Sequence, residues 1–195
     1  MAITTEDVKA LRDETGVSIM QCKKALEEAG GDMEKARMIL RKNSATAASK
    51  KSERTLGAGI IGYYIHSNKK MSAMVELFSE TDFVAENPEF IETANNLAMH
   101  ITAMAPEFTK SSDIDEISMA KAKAFFEEEI ANSDKPAETK EKILQGKLND
   151  FFAEKTLMNQ AFVVNPDITI EQVINQLIQK TGEKIEIGKF VRLSV

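Results

Sequence analysis

The periodicity of residues 57–78 constrains the fold more than any other part of the chain. Residues 59–66 (GIIGYYIH) are rich in β-branched and aromatic residues, residues 71–78 (MSAMVELF) alternate, and SNKK lies between the two runs. Two such runs around a short polar turn are typical of a β-hairpin. Because successive side chains of a strand point to opposite faces, the second strand is predicted to line one face with Met71, Ala73, Val75 and Leu77.

Helical patterns and one more strand follow the hairpin. Helices are predicted from the Asn87-Pro88 cap to Met104, over 117–132, over 137–155 with an interruption at Gly146, and from the Thr169–Gln172 capping box to Gly182. Residues 185–193 alternate again and predict a terminal strand, with a bulge at Gly188. The order hairpin, helices, strand predicts an α+β domain over residues 57–195, in which a small antiparallel sheet packs against helices.

Residues 1–42 are predicted to form a separate three-helix bundle. Thr4, Ser18 and Asp32 are N-cap residues, and glycines end the first two helices. Each helix carries one apolar stripe; the stripe residues are Val8, Leu11, Ile19, Cys22, Leu26, Ala29, Ala36, Ile39 and Leu40. Cys22 is therefore predicted to be a small buried hydrophobe rather than a reactive thiol.

Residues 43–56 are predicted to link the two domains. The segment NSATAASKKSERT is small, polar and basic, and its alanines allow part of it to be helical. The glycines of GAGIIG, residues 57–62, have the spacing of a dinucleotide-binding loop. That loop needs a strand before it and a helix after it, whereas here a linker precedes and a strand follows.

Composition excludes several classes of function. The net charge is −6, which argues against nucleic acid as a direct partner. The apolar runs are too short to span a membrane, and the start MAITTEDVKAL lacks the order of a secretory signal. One cysteine and two histidines fit a reducing compartment and leave little for a metal site. We expect a cytoplasmic protein without a cofactor.

No motif in the sequence indicates catalysis, so we expect the chain not to be an enzyme. It lacks a phosphate loop with Gly-Lys-Ser/Thr, a two-histidine zinc helix and a serine elbow. His100 lies in a predicted helix and is interpreted as a satisfied or surface histidine. An acid–base site made by Glu80 or Asp82 with His100 has no support from spacing.

Two features allow both a structural and a functional interpretation. Met20 lies off the apolar stripe among charged residues, where it is either a scattered exposed residue or an adaptable contact for a partner. In SETDFVAENPEF, residues 79–90, Thr81 or Asp82 could cap a short helix with Phe83 and Val84 folded into the core. Alternatively, Phe83 is held outward for another protein.

Several blocks resemble bacterial elongation factor Ts, in the right order and over nearly the whole chain. They are LRDETGVSIMQCKKALEEAGGDMEKARMILRK, YYIHSNKKMSAMVELFSETDFVA, HITAMAP, LMNQAFVVNPDITI and KIEIGKFVRLSV. The length resembles the short form of the family, without an inserted coiled-coil arm. The resemblance implies an N-terminal module similar to ubiquitin-associated domains. Ser79 stands where the family often has cysteine, and Ser18 and Ile19 replace a frequent glycine–methionine pair.

The resemblance also implies a function and its residues. The family binds elongation factor Tu, a translational GTPase, and speeds the release of GDP. Thr81, Asp82, Phe83 and Val84 match the segment that displaces Mg²⁺ from the GTPase, with Phe83 as a wedge between helices and Asp82 as an anchor. Met20 and Lys23 match positions that lie against the GTPase. Short members suggest a homodimer. The runner-up function is a ubiquitin-associated-like interaction scaffold without exchange activity.

Overall fold

The computed structural model describes residues 3–131 and 136–195 and has an α+β architecture. The helices are α1 (Thr5–Thr15), α2 (Ile19–Glu28), α3 (Met33–Lys50), α4 (Asp82–Ala85), α5 (Pro88–Met104), α6 (Glu116–Ala131), α7 (Ala137–Lys155) and α8 (Ile170–Thr181). The strands are β1 (Ala58–Ile65), β2 (Met71–Ser79), β3 (Ala161–Phe162), β4 (Asn165–Thr169) and β5 (Glu186–Ser194). No helix in these described ranges is both long and apolar enough to cross a bilayer.

Helices α1, α2 and α3 form the predicted bundle around a core of their own. Thr4, Ser18 and Asp32 each accept a hydrogen bond from the first turn of the helix that follows, as N-caps do. Cys22 is fully buried in this core, and burial raises the pKa of its thiol. The prediction of a small buried hydrophobe at Cys22 is therefore confirmed.

The third helix is longer than the sequence pattern predicts. Helix α3 continues through the first part of the predicted linker and ends at Lys50. The alanines of this linker segment favour helix, as the sequence allowed. Ser44 is buried, and Ala48 packs against the core of the second domain. The helix continues because α8 covers one side of it, a tertiary contact that residues 43–50 do not reveal by themselves.

A three-stranded antiparallel sheet in the order β1-β2-β5 organises the second domain. The hairpin pairs Ala58 with Ser79 and Ile65 with Ser72. The pairing of β2 with β5 shifts register, since Val75 faces Phe190 and Leu77 faces Ile187. Gly188 and Lys189 of β5 thus lie opposite the single residue Glu76 of β2, which confirms the bulge predicted at Gly188.

Helix α5 covers one face of the sheet and carries the centre of the main core. Ala73, Val75 and Leu77 share one face, as the alternation predicts. This face is buried, and it forms a cluster with Phe90 and other apolar residues of α5 and α8. The helix approaches β1 so closely that a Cβ at Gly62 would lie 2.2 Å from the carbonyl oxygen of Ala94. Glycine at this position therefore fixes the distance between sheet and helix.

Helices α6 and α7 form a hairpin with a small aromatic core of its own, built from Ala122, Phe126, Leu148 and Phe152. The interruption predicted at Gly146 is wrong, because α7 is continuous from Ala137 to Lys155. The predicted end of α6 at Asn132 lies outside the described residues. The sequence pattern also missed the short pair β3–β4, whose strands are too brief to show a periodicity.

Candidate partner-binding site

Helix α4 is a single turn that directly follows strand β2 and divides the four matched residues between core and surface. Val84 and Ala85 are buried in the main core, whereas Thr81, Asp82 and Phe83 are exposed. The interpretation that folds both Phe83 and Val84 into the core is therefore wrong for the ring and right for the valine. One turn of helix has room for both directions because neighbouring residues point to different sides.

The ring of Phe83 is 87% exposed, while Phe90, seven residues later, is fully buried. A single exposed apolar side chain is common on protein surfaces and does not by itself define a site. Phe83 differs from a scattered exposed residue because its backbone is held in place. Val84, beside it, is packed into the core, and the backbone before it is held by side-chain hydrogen bonds.

The backbone before α4 is held by Glu183, which lies just beyond the end of α8. One carboxylate oxygen of Glu183 accepts the backbone N–H groups of Glu80 and Thr81, both at 3.1 Å. The other oxygen accepts the hydroxyl of Thr81 at 2.6 Å. Thr81 occupies the N-cap position, but its side chain makes no capping bond to the helix. Of the two caps that the sequence allowed, Thr81 and Asp82, Thr81 takes the N-cap position, but its side chain makes a long-range contact instead of a capping bond.

A second set of contacts runs in the opposite direction, from Glu80 to the segment after α8. The Glu80 carboxylate accepts the backbone N–H of Lys184 at 2.5 Å and the Arg54 guanidinium at 3.1 Å. The hydrogen bond from the Lys184 N–H holds the pKa of Glu80 below its ordinary value; partial burial opposes this shift, and Arg54 adds to it. Glu80 is therefore ionised at neutral pH. Each of the two segments thus donates backbone N–H groups to a glutamate of the other: Glu80 accepts from Lys184, and Glu183 accepts from Glu80 and Thr81.

Ser79 also holds the segment, from inside the protein. It is fully buried, and its hydroxyl donates to the carbonyl oxygen of Thr81 at 3.0 Å. The hydroxyl thus fixes the carbonyl that also accepts the first helical bond, from the Ala85 N–H. A serine at this position adds a directional hydrogen bond, which size alone does not predict.

Met20 and Lys23 lie on α2, an element separate from α4. Met20 is 79% exposed, and Lys23 is exposed and lies 3.8 Å from Glu27. Ile19, which the sequence pattern placed on the buried stripe, is 57% exposed instead. Val17, just before the helix cap, is buried in the bundle core in its place. Ile19 and Met20 therefore present two adjacent exposed apolar side chains at the start of α2.

His100 is buried and hydrogen-bonded through both ring nitrogens. Its Nδ1 accepts the backbone N–H of Val163 at 3.3 Å, so Nε2 carries the proton and donates to Gln160 at 2.8 Å. Burial lowers the pKa of His100, which keeps the ring neutral. This matches the interpretation of a satisfied histidine.

The described residues bring together no group of three or more His, Cys, Asp or Glu side chains that could hold a metal ion. The residues that sequence reasoning missed at α4 are Glu183 and Lys184. Nothing in TGEK, residues 181–184, signals their role, because their partners lie about a hundred residues earlier in the chain.

Comparison with known proteins places the chain in one family. The family model for elongation factor TS matches residues 22–195. The chain is 46% identical to elongation factor Ts of Thermosipho melanesiensis over 193 residues, which covers 99% of this chain and 98% of that protein. Elongation factor Ts of Pseudothermotoga lettingae is 45% identical over 195 residues, with 100% and 98% coverage. Elongation factor Ts of Alkaliphilus metalliredigens is 42% identical, with 100% and 90% coverage.

The agreement extends from the N-terminal bundle to the last strand, so it includes α2, α4 and the segment that holds α4. A match at this identity and coverage establishes common descent of the whole chain. The chain belongs to the elongation factor Ts family of bacterial translation factors.

Proposed function

We propose that this protein binds elongation factor Tu and accelerates the release of GDP, using Phe83 as a wedge. The observation that carries the proposal is an almost fully exposed phenylalanine on a helix that is anchored at both ends. Family membership supports the choice of partner. The alternative, an interaction scaffold without effect on nucleotides, has no comparable feature in its favour.

Nucleotide exchange requires coupling between two binding events rather than a covalent step. A GTPase holds GDP through backbone amides, a lysine and Mg²⁺. An exchange protein binds the nucleotide-free GTPase more tightly than the nucleotide-bound GTPase. Because coupling is reciprocal, it must weaken nucleotide binding by the same ratio. The exchange protein therefore needs a contact that forms only after the GTPase has rearranged.

Phe83 can supply such a contact. Burying a phenylalanine side chain contributes roughly 1.5–3 kcal/mol. If the ring fits only when the Mg²⁺ site has opened, this free energy shifts the GTPase toward the open state. In this mechanism Thr81 and Asp82 face the partner with Phe83, and the buried Val84 anchors the helix. In this mechanism the magnesium ion belongs to the GTPase.

The proposal is tested by mixing the protein with Tu that carries a fluorescent GDP analogue, in the presence of excess unlabelled nucleotide. We expect the fluorescence to fall faster as the concentration of this protein rises. Binding without any acceleration would favour the scaffold alternative, and absence of binding would contradict the exchange proposal.

Met20 and Lys23 are proposed to contribute to association through α2. For Met20→Ala we expect Kd for Tu to rise roughly 5- to 30-fold, because about 1–2 kcal/mol of apolar burial is lost. The maximal exchange rate at saturation should change much less. Titration of labelled Tu gives Kd, and the exchange assay gives the rate.

Met38→Ala is the matched control for Met20→Ala. Met38 is an exposed methionine of the same bundle, on α3, outside the matched positions. Its truncation should leave Kd within about twofold of wild type. Equal weakening by both substitutions would contradict a specific role for Met20.

We further propose a homodimer formed through the uncovered face of the three-stranded sheet. The strands present exposed apolar side chains on the face opposite α5: Ile61, Tyr63, Ile65, Met74, Val191 and Leu193. They are contiguous, since Met74 pairs with Tyr63 on one side and Val191 on the other. A continuous apolar sheet face suits a second copy of the same sheet, which buries it in a two-layer sandwich.

Met74→Glu tests the dimer, because Met74 lies at the centre of this apolar sheet face. The substitution would place two carboxylates in the proposed interface, related by the twofold axis. We expect light scattering on wild type to give the mass of two 21.6 kDa chains and Met74→Glu to give the mass of one. A wild-type mass of one chain at micromolar concentration would contradict the proposal.

A further inference from the structure

We infer that Glu183 is a positioning residue for Phe83, and that it sets the rate of exchange by holding the start of α4 rather than by touching the GTPase. This inference rests on the proposed function of Phe83. It concerns the segment after α8, Gly182 to Lys184, which no part of the α4 sequence identifies.

The first step is the geometry of the carboxylate. Three donors converge on Glu183: the N–H groups of Glu80 and Thr81, and the Thr81 hydroxyl. The ladder between β1 and β2 ends at Ser79, so these two amides lie beyond the sheet. They also precede α4, so they receive nothing from its helical hydrogen bonds. Glu183 is therefore the acceptor for both backbone N–H groups of the junction between strand and helix, which Ser79 and Glu80 hold through other atoms.

The second step is the way in which Glu183 is itself held. Helix α8 ends at Gly182 in the left-handed conformation, with φ of 77°, which turns the chain toward β2. The backbone N–H of Glu183 donates to the Thr181 hydroxyl at 3.3 Å. Lys184 is tied to Glu80 from the other side. The carboxylate thus extends from a segment that is fixed on both sides.

The third step concerns what the contact does for Phe83. The end of α4 is anchored by Val84 and Ala85 in the core, and its start is anchored by Glu183. Phe83 lies between the two anchors. Because Thr81 is exposed, water can replace the carboxylate at its N–H and hydroxyl. Loss of Glu183 should therefore mobilise the start of α4 without unfolding the domain, and a mobile support makes insertion of the ring less favourable.

Two substitutions separate position from charge. Glu183→Ala removes every acceptor. Glu183→Gln removes the charge, but its carbonyl oxygen can still accept both N–H groups while its amide donates to the Thr81 hydroxyl, which turns to accept. If Glu183 acts by position, Gln should keep most of the activity. If it acts by charge on the partner, Gln should be as defective as Ala.

The experiment is a double-mutant cycle on the exchange assay, with Glu183→Ala, Phe83→Ala and the double variant. We expect Glu183→Ala to lower kcat/KM about 5- to 10-fold in the wild-type background, and less than twofold once Phe83 is alanine. Glu183→Gln should stay within about threefold of wild type. Glu107→Ala, which breaks the surface pair with Lys155 elsewhere, is the matched control and should be unchanged.

Hydrogen exchange of the protein alone provides a readout that does not involve Tu. The amides of Glu80 and Thr81 should exchange faster in Glu183→Ala and remain protected in Glu183→Gln, while core amides of α5 stay protected in both. If Phe83→Ala exchanges nucleotide at the wild-type rate, the proposed function of Phe83 is wrong. The protection of these two amides then still tests whether Glu183 holds the start of α4.

The inference is overturned if Glu183→Gln is as defective as Glu183→Ala, and also by any of three further results. The first is an equal loss of activity from Glu183→Ala with and without the Phe83 ring. The second is unchanged protection of the two amides. The third is global unfolding of Glu183→Ala, which would mean that the residue stabilises the whole domain rather than the start of α4 alone.

Discussion

Phe83→Ala is expected to lower kcat/KM for GDP release from elongation factor Tu by roughly 10- to 150-fold. The estimate is the free energy of burying a phenylalanine, about 1.5–3 kcal/mol, converted at 1.4 kcal/mol per factor of ten. The same substitution should change the free energy of unfolding by less than about 0.5 kcal/mol, because the ring is 87% exposed and has little packing to lose. Stopped-flow fluorescence and chemical denaturation measure the two quantities.

Phe125→Ala is the matched control for this result. Phe125 is an exposed phenylalanine on α6, within the helical hairpin and outside α4. Its truncation removes the same atoms from the surface, so exchange should remain at the wild-type rate. A Phe83→Ala variant that exchanges as fast as wild type would remove the wedge from the mechanism, and a slow Phe125→Ala variant would show that the effect is not specific to α4.

Phe90→Ala is expected to destabilise the protein by about 3–5 kcal/mol, the opposite outcome from the same truncation at Phe83. Phe90 is fully buried beneath the sheet in the cluster formed with α8, so its loss leaves a cavity in the main core. For a chain of this length, the midpoint of thermal unfolding should fall by roughly 6–20 °C. Calorimetry or denaturation followed by circular dichroism measures the change.

The two phenylalanines, seven positions apart, form a matched pair. Phe83→Ala should lower the rate of nucleotide exchange and leave the free energy of unfolding nearly unchanged. Phe90→Ala should mainly lower the free energy of unfolding. A Phe83→Ala variant that lowers the unfolding midpoint as much as Phe90→Ala would mean that the ring is packed in solution. That result would contradict the exposed position from which the proposed mechanism is argued.

Local patterns were sufficient to predict most of the elements of this fold. The caps at Thr4, Asn87 and Thr169 mark helix starts within one residue of where they occur, because capping is a contact between residues two or three positions apart. The alternation of β2 correctly predicted that Ala73, Val75 and Leu77 share one face, and the structure shows that this face is the buried one. The errors at Ile19 and in the length of α3 occur where packing overrides local preference. The helix also continues through Gly146, which is exposed.

The candidate site divides in the same way. The segment Thr81–Val84 was identified by its resemblance to a family, whereas its periodicity allowed Phe83 either inside or outside. Only the folded chain brings Glu183 to the start of α4, across about a hundred residues.

The sequence by itself determined where most of the longer helices and strands begin and most of their apolar faces, because those depend on neighbours within a turn or two of chain. The tertiary structure alone decided that Phe83 points outward, that Val84 anchors it and that Glu183 holds the backbone before it. These depend on contacts between distant segments, which exist only once α8 and β5 have closed against the hairpin.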